Sequence, residues 1–121
     1  MKNNNSIKKN AGIVNKFLKK ELHGNPKQLY DAASHLILHG GKRLRPFLVL
    51  KSCQMLGGRQ SDAMAAASAV EMIHNFTLVH DDIMDNDEMR HGVPTTHKKF
   101  DMPLAILAGD VLYSKAYHTI S

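Results

Sequence analysis

Tryptophan is absent from the 121 residues and cysteine occurs once, at Cys53. A single thiol excludes an internal disulfide, and its place in the apolar run Leu48 to Leu56 reads as a small buried hydrophobe. Long apolar runs are missing too. The longest, Met102 to Tyr113, is broken by Asp110 and is too short to cross a bilayer, and MKNNNSIKKN leads into no hydrophobic signal segment. The expectation is a cytoplasmic chain with no transmembrane segment. Hairpin turns between alternating apolar and polar runs are not seen, so strands have little support. His80, His91 and His97 lack zinc-ligand spacing and Cys53 stands alone, which rejects a zinc site.

The charge that is present is unevenly placed. The net charge is +5, yet the six lysines from Lys2 to Lys20 precede the first acid, Glu21. The body that follows is close to neutral. The surplus therefore belongs to a basic, flexible leader at about 1–10 and the helix after it. No repeated alternation of aromatic and basic residues accompanies these lysines, Phe17 being the one aromatic among them, so nucleic acid is not an expected partner.

Apolar residues recur at helical spacing in five stretches. The first covers about 7–22, with Ile7, Val14, Phe17, Leu18 and Leu22 on one period. The second runs from about Pro26 to Leu38, where Gly40-Gly41 breaks it. The third runs from Pro46 to Gly57-Gly58. The fourth starts at Ser61-Asp62, a good N-cap pair, and reaches about Asp85. The fifth begins near Met102-Pro103 and continues to Ile120-Ser121 without a stop signal, as if the fold went on elsewhere. The predicted class is all-α, a helical bundle in one domain over 1–121.

Chemistry concentrates at the end of the fourth helix. Asp81 and Asp85 are spaced i, i+4 and share a face, Asp82 lies beside them, and Asp87 and Glu88 follow. Carboxylates massed at a helix C-terminus oppose both one another and the macrodipole unless a cation offsets them. Hard oxygen ligands of this kind suit Mg²⁺, which takes one or two carboxylates and completes its shell with water and phosphates. The plain alternative is a solvated acidic helix end. A second cluster, Gly40-Gly41-Lys42-Arg43-Leu44-Arg45-Pro46, sets three cations just ahead of a helix N-terminus, an arrangement suited to phosphate. The alternative there is a basic loop with turn glycines. It lacks the spacing of a nucleotide P-loop. His74 stands two turns before Asp81 on the same face, and Arg90 opens the turn-rich loop Arg90 to His97.

In order, GGKRLRP, EMIHNFTLVHDDIMDND, MRHGVPTTH and LAGDVLY resemble the N-terminal motifs of trans-isoprenyl diphosphate synthases (polyprenyl synthetases), over about residues 40–113. The pattern is most similar to archaeal-type geranylgeranyl diphosphate synthases. The resemblance implies the N-terminal half of an isoprenoid synthase fold and a Mg²⁺-dependent prenyltransferase. Such an enzyme condenses an allylic diphosphate with isopentenyl diphosphate in isoprenoid lipid biosynthesis. It further implies that Asp81 and Asp85 ligate Mg²⁺, with Asp82 supporting them as part of the catalytic trio. Arg90 then holds the allylic diphosphate, while Lys42, Arg45 and His74 bind isopentenyl diphosphate. Phe76 and Thr77, just before the aspartates, set chain length, and Asp110 is structural. One departure is His91, where the family carries the second of two arginines. An imidazole is only partly charged near neutral pH and lacks the arginine fork, which bears on isopentenyl diphosphate binding.

Full-length members of that family carry a second Asp-rich motif, and the sequence has a single DDxxD, Asp81 to Asp85. The expectation is a split or truncated enzyme, inactive until a C-terminal-half subunit completes it in a heteromer or larger oligomer. The alternative is a non-catalytic interaction or regulatory relative that binds a prenyl synthase partner.

Overall fold

Helix α4, Gln60–Met84, runs through the middle of the molecule and carries most of the residues singled out above. The structure, a computed structural model, describes residues 2–121, with side-chain surroundings from Ser6 onward. Around α4 stand α1 (Lys2–Glu21), α3 (Leu44–Met55), the short α5 (Thr96–Lys99) and α6 (Met102–Ile120), and α2 (Lys27–Ser34) packs on α6. A two-residue antiparallel pair, β1 (Met89–Arg90) and β2 (Val93–Pro94), joins α4 to α5. The architecture is the expected all-α bundle.

Small residues let the central helices come close. Ala63, Ala67 and Val79 of α4 and Ala105, Ala108, Leu112 and Ala116 of α6 are buried. An alanine stripe sacrifices apolar area but allows backbone approach, so dispersion contacts replace bulk. Larger side chains fill the flanks: Val14 and Leu18 from α1, Leu22 just after it, Leu36 and Ile37 after α2, Leu50 from α3 and Met72 from α4 form one continuous core. At a typical coefficient of about 25 cal/mol per Å², each buried leucine contributes about 2 kcal/mol.

Elements depart from the sequence reading in several places; α3 begins at Leu44 rather than Pro46, and the short α5 was not expected. α1 begins at Lys2 rather than near Ile7, and Asn10 is buried, so the stretch read as a leader is part of a helix. α2 stops at Ser34, and the chain continues in turns, Leu38 N–H donating to Ser34 O. The N-cap of α4 is Arg59, not Ser61 or Asp62; Asp62 instead sits in the first turn, favourable for an anion, and pairs with Arg59 at 3.3 Å. The β1–β2 hairpin was not expected, because two-residue strands leave no alternation to read. At α6 the expected start holds, with Asp101 Oδ1 accepting from Leu104 N–H at 2.8 Å. Among the described residues no helix is long and apolar enough to cross a membrane.

Candidate functional site

The segment between α2 and α3 turns tightly because two departures from right-handed geometry flank Lys42. Gly41 has φ +94° and Arg43, the N-cap of α3, has φ +59°. The left-handed Arg43 drives its side chain inward. Its Nε donates to Asn15 Oδ1 of α1 at 2.8 Å, and its guanidinium also donates to the carbonyls of Gly40 and Ile37 and to Glu71 Oε1 of α4. Lys42 and Arg45, on either side, stay exposed. Of the three cations in GGKRLRP, two therefore stay on the surface and one locks the loop.

Lys42 and Arg45 share a pocket with His74, from α4, and His91, from the hairpin. Residues up to 49 positions apart in the chain meet here. Burial holds the His74 imidazole below its ordinary pKa; the nearby Arg45 adds to this while Glu71 opposes it. A neutral His74 can offer one donor and one acceptor. Gly40 is what lets His91 close the pocket, since a Cβ there would lie 2.6–2.9 Å from the His91 ring and Cβ.

The hairpin itself is built on His91 and Gly92, whose φ values of +54° and +78° suit a two-residue turn between twisted strands. Two bonds tie it down: Thr95 Oγ1 donates to Asp87 O at 2.8 Å, and Thr95 N–H donates to Glu88 O at 2.9 Å. Arg90 in β1 then meets Asp82 of α4. Nε and Nη2 donate to both carboxylate oxygens at 2.8–3.0 Å, and that hydrogen bonding, joined by the charge of Asp82, Asp87 and Asp81 and opposed by desolvation, raises the Arg90 pKa further. Asp82 is 1% exposed.

Asp81 and Asp85 differ from Asp82. Both are exposed, and neither carboxylate has a hydrogen-bond or ion-pair partner among the described residues. At i, i+4 their Cβ atoms stand about 5–6 Å apart. Two free hard-oxygen donors fit Mg²⁺, which is satisfied by one or two carboxylates plus water and phosphate oxygens. No set of three or more His, Cys, Asp or Glu among the described residues is gathered to hold a metal alone.

Phe76 is half-buried toward α6, edge-on to His80 at 4.5 Å and tilted against Tyr113 at 5.2 Å between ring centroids. Thr77 is exposed and its hydroxyl donates to His74 O. Asp110 is exposed on α6. Sequence reasoning missed Arg43 as an anchor, and Glu71 and Asn75 beneath it. A glutamate inside the apolar run AVEMI was the available signal, since buried charge needs a partner.

A family model for polyprenyl synthetase matches residues 26–121. The geranylgeranyl diphosphate synthase of Sulfolobus acidocaldarius is 48% identical over 108 residues, 89% of this chain and 33% of its own length. Among solved structures, the geranylgeranyl pyrophosphate synthetase of Geoglobus acetivorans superposes with a TM-score of 0.91 at 52% identity, covering 95% of this chain and 38% of that one. The enzyme from Pyrococcus horikoshii gives 0.90 at 47%, covering 94% and 35%. The chain spans about a third of the length of the curated relatives it matches. With the ordered motifs, the bundle and two site clusters along one central helix, the chain belongs to the polyprenyl synthetase family.

Proposed function

We propose that this chain is the N-terminal part of a Mg²⁺-dependent trans-prenyltransferase that condenses an allylic diphosphate with isopentenyl diphosphate. The observation that carries the reading is the division of labour along α4. A cationic pocket holds Lys42, Arg45, His74 and His91, and two turns further on Asp81 and Asp85 are free beside Arg90. One diphosphate is held by each cluster, which sets the two reacting substrates on one helix.

Lys42 and Arg45 bind the diphosphate of isopentenyl diphosphate, helped by the N-terminus of α3. His74 donates one hydrogen bond in its neutral form. His91 fills the place of a second arginine and offers a smaller contact without the arginine fork. Asp81 and Asp85 would hold Mg²⁺, which supplies charge neutralisation for the departing diphosphate when bound. Asp82 fixes Arg90 so that the unbonded edge of its guanidinium is available to the allylic diphosphate. Phe76 limits the length of the growing chain, Thr77 adds little bulk beside it, and the resemblance favours a geranylgeranyl-length product.

These clusters form one wall. The rest of the enclosure comes from protein outside this stretch, for which the one-third coverage of the relatives and the exposed Ile106, Leu107, Tyr113 and Tyr117 of α6 are the support. A C-terminal-half subunit with a second Asp-rich motif, in a cytoplasmic heteromer, is the arrangement put forward. The test mixes the chain with Mg²⁺, an allylic diphosphate and labelled isopentenyl diphosphate, with and without a co-expressed C-terminal half. Condensation only with that half supports the reading. Stable association with intact motifs and no turnover would favour a non-catalytic, regulatory relative instead.

A further inference from the structure

The cationic pocket has an anion in its floor. Glu71 lines the same cavity as Lys42, Arg45 and His74, and its side chain is 5% exposed. A bare carboxylate there would repel any anionic ligand and would be costly to bury. It is not bare: Glu71 Oε1 accepts from Arg43 Nη1 at 3.3 Å and from Asn75 Nδ2 at 3.2 Å. Arg43 has four of its five donors engaged, on Asn15, Gly40, Ile37 and Glu71, so it has little left to offer a ligand.

We propose that Arg43 and Glu71 are paired positioning residues for the diphosphate at this pocket. Arg43 cancels the Glu71 charge from beneath, and the left-handed turn it anchors sends Lys42 and Arg45 outward to the ligand. This rests on the reading of the pocket as a diphosphate site. Left-handed backbone is disfavoured for an arginine, so the conformation persists only because its bonds hold it. Glu71 supplies the one ion pair among those contacts, joining the loop to the helix that carries His74.

The test is calorimetric titration of the 121-residue chain with inorganic diphosphate in the presence of Mg²⁺. Lys42→Ala and Arg45→Ala establish the pocket, and each is expected to weaken binding. Arg43→Met leaves Glu71 unpaired and is expected to weaken binding by about tenfold, the scale of one uncancelled charge several ångströms away. Glu71→Gln keeps an acceptor for Arg43 and removes the negative charge, so binding should tighten by about threefold on the same scale. The double variant Arg43→Met with Glu71→Gln should recover most of the loss, which simple packing damage would not allow. No binding by the unaltered chain, or none of it lost in Lys42→Ala and Arg45→Ala, overturns the diphosphate reading and this proposal with it. Weakening in those two variants but no loss in Arg43→Met, or no recovery in the double variant, overturns the pairing alone. Should Arg43→Met fail to fold by circular dichroism, Glu71→Gln decides: unchanged or weaker binding overturns the proposal.

Discussion

Asp82 and Arg90 meet through both carboxylate oxygens, with three N–H···O contacts of 2.8–3.0 Å between the end of α4 and the first strand of the hairpin. The middle aspartate-rich stretch is thus not one functional unit. Asp82 is buried and committed to Arg90, whereas Asp81 and Asp85 stand free. Asp82→Asn keeps the shape and one acceptor but leaves the guanidinium without its countercharge. The expected loss is about 2 kcal/mol in urea unfolding, below the full cost of breaking a deeply buried pair because Arg90 is 27% exposed. No change in the midpoint would show that the pair anchors nothing.

Asp81→Asn and Asp85→Asn should behave in the opposite way. Each removes a carboxylate that faces both its neighbours and the negative end of the α4 dipole. Stability should rise slightly, by about 0.3–1 kcal/mol per substitution at low ionic strength. Mg²⁺-dependent binding of inorganic diphosphate should fall sharply in both. If the two variants bind as the unaltered chain does, these carboxylates are not the metal ligands.

Much of the bundle was legible because helix periodicity needs only a few turns to declare itself. The apolar spacing of α1, the glycines after α3 and the Asp101-Met102-Pro103 start of α6 placed those elements within a few residues. The hairpin was not legible, since its strands are two residues each and its turn depends on His91 and Gly92 at positive φ. Nor did spacing alone tell Arg43 from Lys42 and Arg45. Three adjacent cations look alike in a sequence, and only the backbone twist at the N-cap of α3 decides which one turns inward. For the same reason Asp81, Asp82 and Asp85 read as a trio, although the 100° step per residue puts Asp82 on the buried side.

Gly40 and His91 give a cleaner test of how the pocket closes. A Cβ on Gly40 would fall inside contact distance of the His91 ring, so Gly40→Ala must push the hairpin away. Overpacking of this kind typically costs about 1–3 kcal/mol. His91→Ala removes the obstructing ring, so the double variant should lose clearly less stability than the sum of the two single changes. Additive losses in thermal unfolding would mean that the two residues do not oppose one another.

The pH dependence of stability follows from two histidines held below their ordinary pKa. For His35 the main cause is burial, reinforced by His39 and Lys99 and opposed by the hydrogen bond from its Nε2 to Pro94 O at 2.7 Å. For His74 burial is again first, with Arg45 next. An unfolded histidine titrates near about 6.5. Above that value both states are neutral at these positions and pH has no leverage. Below it the unfolded chain takes up protons that the folded chain refuses, so stability falls as pH drops from there toward the lowered folded pKa values and levels off beneath them. Urea midpoints should therefore be level from pH 8 to 7 and decline from about 6.5 downward. His35→Gln retains a donor for Pro94 O and cannot titrate, and His74→Gln likewise removes a site, so each should flatten the decline. A slope that survives unchanged in both variants would place its origin elsewhere, in groups other than these two rings.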